Sequence, residues 1–139
     1  MFTFAEELIQ VPGARENFYK LWINGKCPAD EFWNEIRRSG NHDNDLDKIQ
    51  VIIERISRGE PVPSKLFKEL KGKRPGDHVK DYEIRVKKLR IFFFKADKFG
   101  RLIVSGAFKD PKSQKADIEK MRKYKILYIT SRSQLKRIK

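Results

Sequence analysis

The stretch Asp81-Tyr82-Glu83-Ile84-Arg85-Val86-Lys87-Lys88-Leu89-Arg90-Ile91-Phe92-Phe93-Phe94-Lys95-Ala96 decides the fold. Its first six residues alternate polar and apolar with the period of a strand, and residues 89–96 form a longer apolar strand. A hairpin turning at Lys87-Lys88 sets Val86 against Leu89, Ile84 against Ile91 and Tyr82 against Phe93 on one face. Arg85 then stands opposite Arg90 on the other face, with Cβ atoms about 5 Å apart. Two arginines in register repel, so the arrangement calls for an anion between them or for a carboxylate such as Glu83 to balance them. Lys-Lys is a poor pair for a two-residue turn, which favours Asn-Gly or Gly-rich pairs. A slip of one residue would send the arginines to opposite faces, and two solvated surface arginines are the plainer reading.

Working toward the C-terminus, Asp97-Lys98-Phe99-Gly100 has turn chemistry. Arg101 to Phe108 returns as a third strand, giving an antiparallel meander. Lys109, Lys112 and Lys115 follow at intervals of three, so any helical part shows them on one side. That pattern is also what a solvated face looks like. A final helix is expected from about Ser113 to Tyr124. The apolar Ile126–Ile129 segment fits a helix continuation or an added strand, and the basic tail from Ser131 to Lys139 is expected to fray.

Toward the N-terminus, Asn17–Ile23 is aromatic and β-branched, and Asn24-Gly25 ends it as a turn, which predicts a first strand. Pro28-Ala29-Asp30 opens a helix to about Arg38 with Phe32, Trp33 and Ile36 on one face. A second helix is expected from about Asp45 to Arg58, with Leu46, Ile49, Ile52, Ile53 and Ile56 as its apolar stripe. The two read as a hairpin packed on a sheet. The polar tract Asn41-His42-Asp43-Asn44-Asp45 is read as a loop in which Asp43 or Asp45 caps the second helix, in preference to a metal site. No metal or cofactor is called for. His78 reads as a loop residue, and Tyr124 and Tyr128 as core.

The chain of 139 residues fits one domain, and its 39% hydrophobic content with ten Phe and two Trp argues against wholesale disorder. No apolar run approaches the roughly 18–20 residues of a membrane span. The acidic start Met1-Phe2-Thr3-Phe4-Ala5-Glu6-Glu7 does not resemble a secretory signal. Single Cys27 reads as a reduced, non-nucleophilic thiol. A soluble cytoplasmic protein is expected. Its charge is lopsided: residues 1–64 hold 8 Lys/Arg and 11 Asp/Glu, a balance of −3, whereas residues 65–139 hold 24 and 8, a balance of +16. Cations concentrated in one half point to a polyanionic partner, nucleic acid first and an acidic protein second.

The segments Leu70-Lys71-Gly72, Tyr82–Val86, Leu89–Phe93 and Gly106-Ala107-Phe108-Lys109-Asp110-Pro111-Lys112-Ser113-Gln114-Lys115 resemble, in order and spacing, the RelE/ParE superfamily. The likeness is greatest to its HigB-like, phage-derived branch, which carries a similar Gly-x-Phe-Lys-Lys-x-x-Gln-Lys signature. It spans roughly residues 45–125, leaving residues 1–44 as an N-terminal strand-and-helix elaboration. The resemblance implies an α+β, RelE-like fold with a two-helix hairpin on a small antiparallel sheet and a C-terminal helix. It also implies the toxin of a type II toxin–antitoxin pair, a metal-independent endonuclease cutting mRNA on the ribosome. The implied partner is an antitoxin, commonly a helix-turn-helix DNA-binding protein.

By position, the resemblance puts Arg85 at the scissile phosphate, Arg90 at the opening of the next strand and Lys109 after the last strand. Lys87, Lys88, Lys112 and Lys115 become RNA ligands. Such cleavage needs a base for the 2′-hydroxyl, cations for the charge on pentacoordinate phosphorus and an acid for the leaving 5′-oxygen. Arginines meet the second need, and a lysine in a basic cluster gives up its proton more readily than a solitary one. Glu83 is a candidate base, or it balances Arg85. Relatives that use a histidine or a C-terminal tyrosine are not matched in these motifs, so the base stays unassigned. A ParE-like gyrase poison and a non-catalytic nucleic-acid-binding member remain as alternatives.

Overall fold

The computed structural model describes residues 2–96 and 100–138, with side chains followed as far as Arg132. The turn residues Asp97, Lys98 and Phe99 lie outside the described residues. The elements run β1 (Phe4–Ile9), β2 (Phe18–Ile23), α1 (Pro28–Ser39), α2 (Asp43–Arg58), β3 (Phe67–Glu69), β4 (Asp81–Val86), β5 (Leu89–Ala96), β6 (Gly100–Phe108) and α3 (Gln114–Ile138). They make an α+β fold around one six-stranded sheet in the order β1-β2-β6-β5-β4-β3.

The expected meander is the centre of this sheet. β4, β5 and β6 pair antiparallel, with Tyr82 on Phe93, Ile84 on Ile91, Val86 on Leu89 and Arg85 on Arg90. The sheet is larger than expected and mixed. β2 joins β6 in parallel, and β1 and β3 extend the two edges. Both additions lack a strong strand pattern. β1 is mostly exposed or half-exposed, and β3 is three residues long.

The hairpin α1–α2 covers one face. Pro28 starts α1 where its missing amide costs nothing. Gly40 and Gly59 end the two helices at φ of 71° and 74°, a left-handed backbone that glycine takes without strain. Leu46, Ile49, Ile52, Ile53 and Ile56 of α2 pack with Phe18, Ile84, Ile91, Phe93 and Ile103 of the sheet. Phe32 of α1 lies so close over Gly106 that a Cβ there would sit 2.3 Å from its ring.

α3 covers the other face, with Met121 and Tyr128 against Phe92, Phe94, Leu102 and Val104. It is about twice the expected length, because Ile126–Ile129 continues the helix and the tail to Ile138 stays helical. Charges fasten it. Lys125, fully buried, binds Asp77 at 2.6 Å, the Val79 carbonyl at 3.0 Å and the buried Asp81. Arg122 donates to Asp81 at 2.5 Å and to the Lys71 carbonyl at 2.7 Å. Further along, Tyr128 and Arg132 meet Glu6 of β1. No helix among the described residues is long and apolar enough to cross a membrane.

Candidate nucleic-acid interface

The in-register arginines lie on the α3 side of the sheet, at the end closed by the β4–β5 turn. Their environments differ. Arg85 keeps 27% of its side chain exposed and its Nε lies 3.2 Å from Glu83 Oε1. Arg90 is only 3% exposed, and its Nη1 donates to the carbonyls of Lys87 at 2.8 Å and Leu89 at 2.9 Å. Burial, and then the charge of Arg85, hold the Arg90 guanidinium below the usual arginine range, while Glu83 pulls the other way. Arg90 Nε and Glu83 Oε2 are buried without a hydrogen-bond partner.

The turn explains part of this. Lys87 takes φ +52°, a left-handed conformation that disfavours a lysine. Arg90 braces that turn by binding two of its carbonyls. The turn that looked unfavourable in the sequence is therefore made, with a buried guanidinium as its support. Glu83 is nearly buried and engaged with Arg85, which places it as a balancing charge; a role as base would need that pair to open.

The remaining cations are arranged around the same end. The Lys109 amide donates to the Lys88 carbonyl at 2.6 Å, tying the exit of β6 to the β4–β5 turn. Lys112 sits in the loop that follows, where its amide binds the Asp110 carboxylate at 2.9 Å, and Lys115 is in the first turn of α3. Lys88, Lys109, Lys112 and Lys115 are all exposed and form no ion pair among the described residues. Lys87 lies 3.7 Å from Asp45. Lysines left unneutralised beside a turn are what a polyanion would contact.

A register shift between Phe92 and Phe93 inserts one extra residue in β6. Such a bulge reverses which face each later residue takes. Ala107 consequently lies beside Arg90 on the α3 side, and Phe108 turns toward the helix hairpin. Phe108 remains 42% exposed, with edge contacts to Phe32 and to His42. His42, read in the sequence as part of a polar loop, thus packs against the end of β6.

That loop also departs from expectation. His42 occupies the N-cap of α2, and no side chain caps the helix there. Asp45, only 8% exposed, points its carboxylate at His42 Nδ1, 3.3 Å away. Asp43 pairs with Arg37 at 3.4 Å. Both aspartates lie inside the first turn of the helix, past the N-cap position that His42 occupies. His78 is exposed, and burial pushes the Cys27 thiol up, which keeps it protonated and unreactive. Among the described residues no His, Cys, Asp and Glu group is arranged to hold a metal ion. Comparison with protein-family models, curated proteins and solved structures finds no match to this chain.

Proposed function

We propose that this chain is a RelE-like toxin of the HigB type, an endonuclease that cuts mRNA on the ribosome and is restrained by a co-expressed antitoxin. The observation that carries the reading is Arg85 facing Arg90 across the β4–β5 hairpin, at a sheet end that also carries the exposed Lys88, Lys109, Lys112 and Lys115. The order of two strands, a helix hairpin, a short edge strand, an antiparallel meander and a final helix is compatible with it. In this reading Arg85, about a quarter exposed, meets the phosphate directly, and the lysines hold the flanking backbone. Arg90 acts from beneath, holding the turn and adding positive potential.

The burial of Arg90 favours a second reading, a non-catalytic member that holds nucleic acid without cutting it. Inducing the protein alone and mapping the 5′ ends of cellular mRNA separates the two. In-frame cuts during translation support the nuclease. Growth unaffected and mRNA intact, with RNA still bound by the purified protein, supports the second. DNA breaks that depend on gyrase would instead identify a ParE-like poison. Arg85→Ala should abolish cutting while leaving the fold intact, and unchanged cutting would remove Arg85 from the site.

A further inference from the structure

The loop that carries Gly72, Arg74 and Asp77 and the adjoining side of α3 enclose a groove of about 510 Å³, lined from the helix by Lys120, Lys123, Ile126 and Leu127. Lys123 stands about 12 Å further along α3 than Lys115, so the groove lies away from the β4–β5 turn. Its two walls are fastened to each other. Arg122 donates to the Lys71 and Gly72 carbonyls at 2.7 and 3.3 Å, and Lys125 binds Asp77 at 2.6 Å. Those bonds commit Arg122, Lys125 and Asp77. Arg74, Lys120 and Lys123 stay exposed and form no ion pair among the described residues, against one exposed carboxylate, Glu119. Ile126 stands 45% exposed beside these cations, with Leu127 half-buried next to it.

Open cations call for an anion, and an aliphatic side chain left open among them offers a contact to an apolar anchor. Nucleic acid satisfies only the first demand. Sites for unpaired bases stack them on aromatic rings, and no aromatic side chain lines this groove among the described residues. An acidic protein segment with a leucine or isoleucine among its carboxylates satisfies both. We propose that this groove docks an acidic, apolar-anchored segment of a partner protein, with its carboxylates on Arg74, Lys120 and Lys123 and its aliphatic side chain over Ile126.

The fastened walls lower the ordering that binding requires. The cations set the encounter rate and its dependence on salt, and the aliphatic contact sets the lifetime of the complex. The inference does not rest on the nuclease reading above, because the groove shares no residue with the Arg85 end of the sheet.

The test uses the full chain and a fluorescein-labelled synthetic peptide, all glutamate except for two leucines at helical spacing, with binding followed by anisotropy. Saturable binding that weakens as salt rises is expected. Lys123→Glu should weaken it by at least about 10-fold, since like charges across an interface repel. Ile126→Ser should weaken it by about 10-fold, as truncation of an anchor contact does. The same peptide with serine for each leucine, or lysine for each glutamate, should bind at least about 10-fold more weakly. Ile126→Ser should leave RNA binding at the β4–β5 turn unchanged, which separates this inference from the nuclease reading. Both positions are exposed, and circular dichroism melting confirms that each variant is folded. No saturable peptide binding at low salt, or binding untouched by Lys123→Glu and Ile126→Ser, would overturn the inference. A single-stranded RNA of equal charge that displaces the peptide, and whose own binding falls with Lys123→Glu but not with Ile126→Ser, would overturn it too and assign the groove to nucleic acid.

Discussion

On the side of the sheet covered by α1 and α2, Leu46, Ile49, Ile52, Ile53 and Ile56 lie against Ile84, Ile91, Phe93 and Ile103. On the side covered by α3, the apolar contact of Met121 and Tyr128 with Phe92 and Phe94 is bordered by the buried charges Asp81, Glu83, Arg90 and Lys125. One face is held by apolar area and shape, the other by ion pairs that must all be matched. A polyanion meets the second kind of face more readily, because its cations are already assembled and part of them is left open. The difference also separates two jobs on one helix. The middle of α3, at Lys125, clamps it to the sheet, and its first turn carries the exposed Lys115.

Breaking each face should cost a similar amount by different physics. Phe93→Ala opens a cavity among fully buried neighbours and should cost about 3–5 kcal/mol in urea unfolding. Lys125→Ala strands Asp77 and takes one of two cations from the buried Asp81, and should cost about 3–5 kcal/mol. What tells them apart is rescue. Lys125→Met combined with Asp77→Asn should recover a large part of the loss, since Asp81 keeps Arg122 and Asp77 no longer carries an unmatched charge. No polar substitution should rescue Phe93→Ala.

Acid gives a second contrast. Burial pushes the Asp77 carboxyl up, but the Lys125 hydrogen bond and the Val79 amide hold it below its ordinary value. Its folded pKa therefore lies under the unfolded one. The stability it adds is present above about pH 4 and is lost as the pH falls through the folded value. In a pH series of thermal midpoints, Lys125→Ala should flatten that acid decline. Phe93→Ala should shift the whole curve down and keep its shape.

The effects on the open cations are smaller. Arg85→Ala should weaken RNA binding and reduce the slope of log affinity against log salt by about one. Lys87→Gly should relieve the left-handed lysine and add about 0.5 kcal/mol to stability. It should also remove one cation from the rim, so RNA affinity and stability move in opposite directions.

The central hairpin was legible from residues alone. Apolar alternation in β4 and the apolar run of β5 pointed to a register that buries Ile84, Val86, Leu89 and Ile91 together, with a one-residue slip still open, and the structure takes that register and sets Arg85 on Arg90. The two helices were legible for the same reason, from the stripe at helical spacing in α2 and the Pro and Gly boundaries. The edge strands were not, because β1 and β3 borrow their order from neighbours and carry little pattern of their own. The length of α3 was hidden by its two-sided nature, apolar toward the sheet and charged toward Asp77 and Asp81. His42 escaped notice because its place beside Phe108 depends on the bulge at Phe92/Phe93, a one-residue shift in β6 that periodicity does not announce.

The central claim is that RNA is held at the β4–β5 turn end of the sheet. Backbone amide shifts followed while a short single-stranded RNA is titrated into the labelled protein test this most directly. The account predicts changes confined to the Glu83–Arg90 hairpin and the Ala107–Lys115 segment, weakening as salt rises. Changes centred on the outer faces of α1 and α2, or none at low salt, would contradict it.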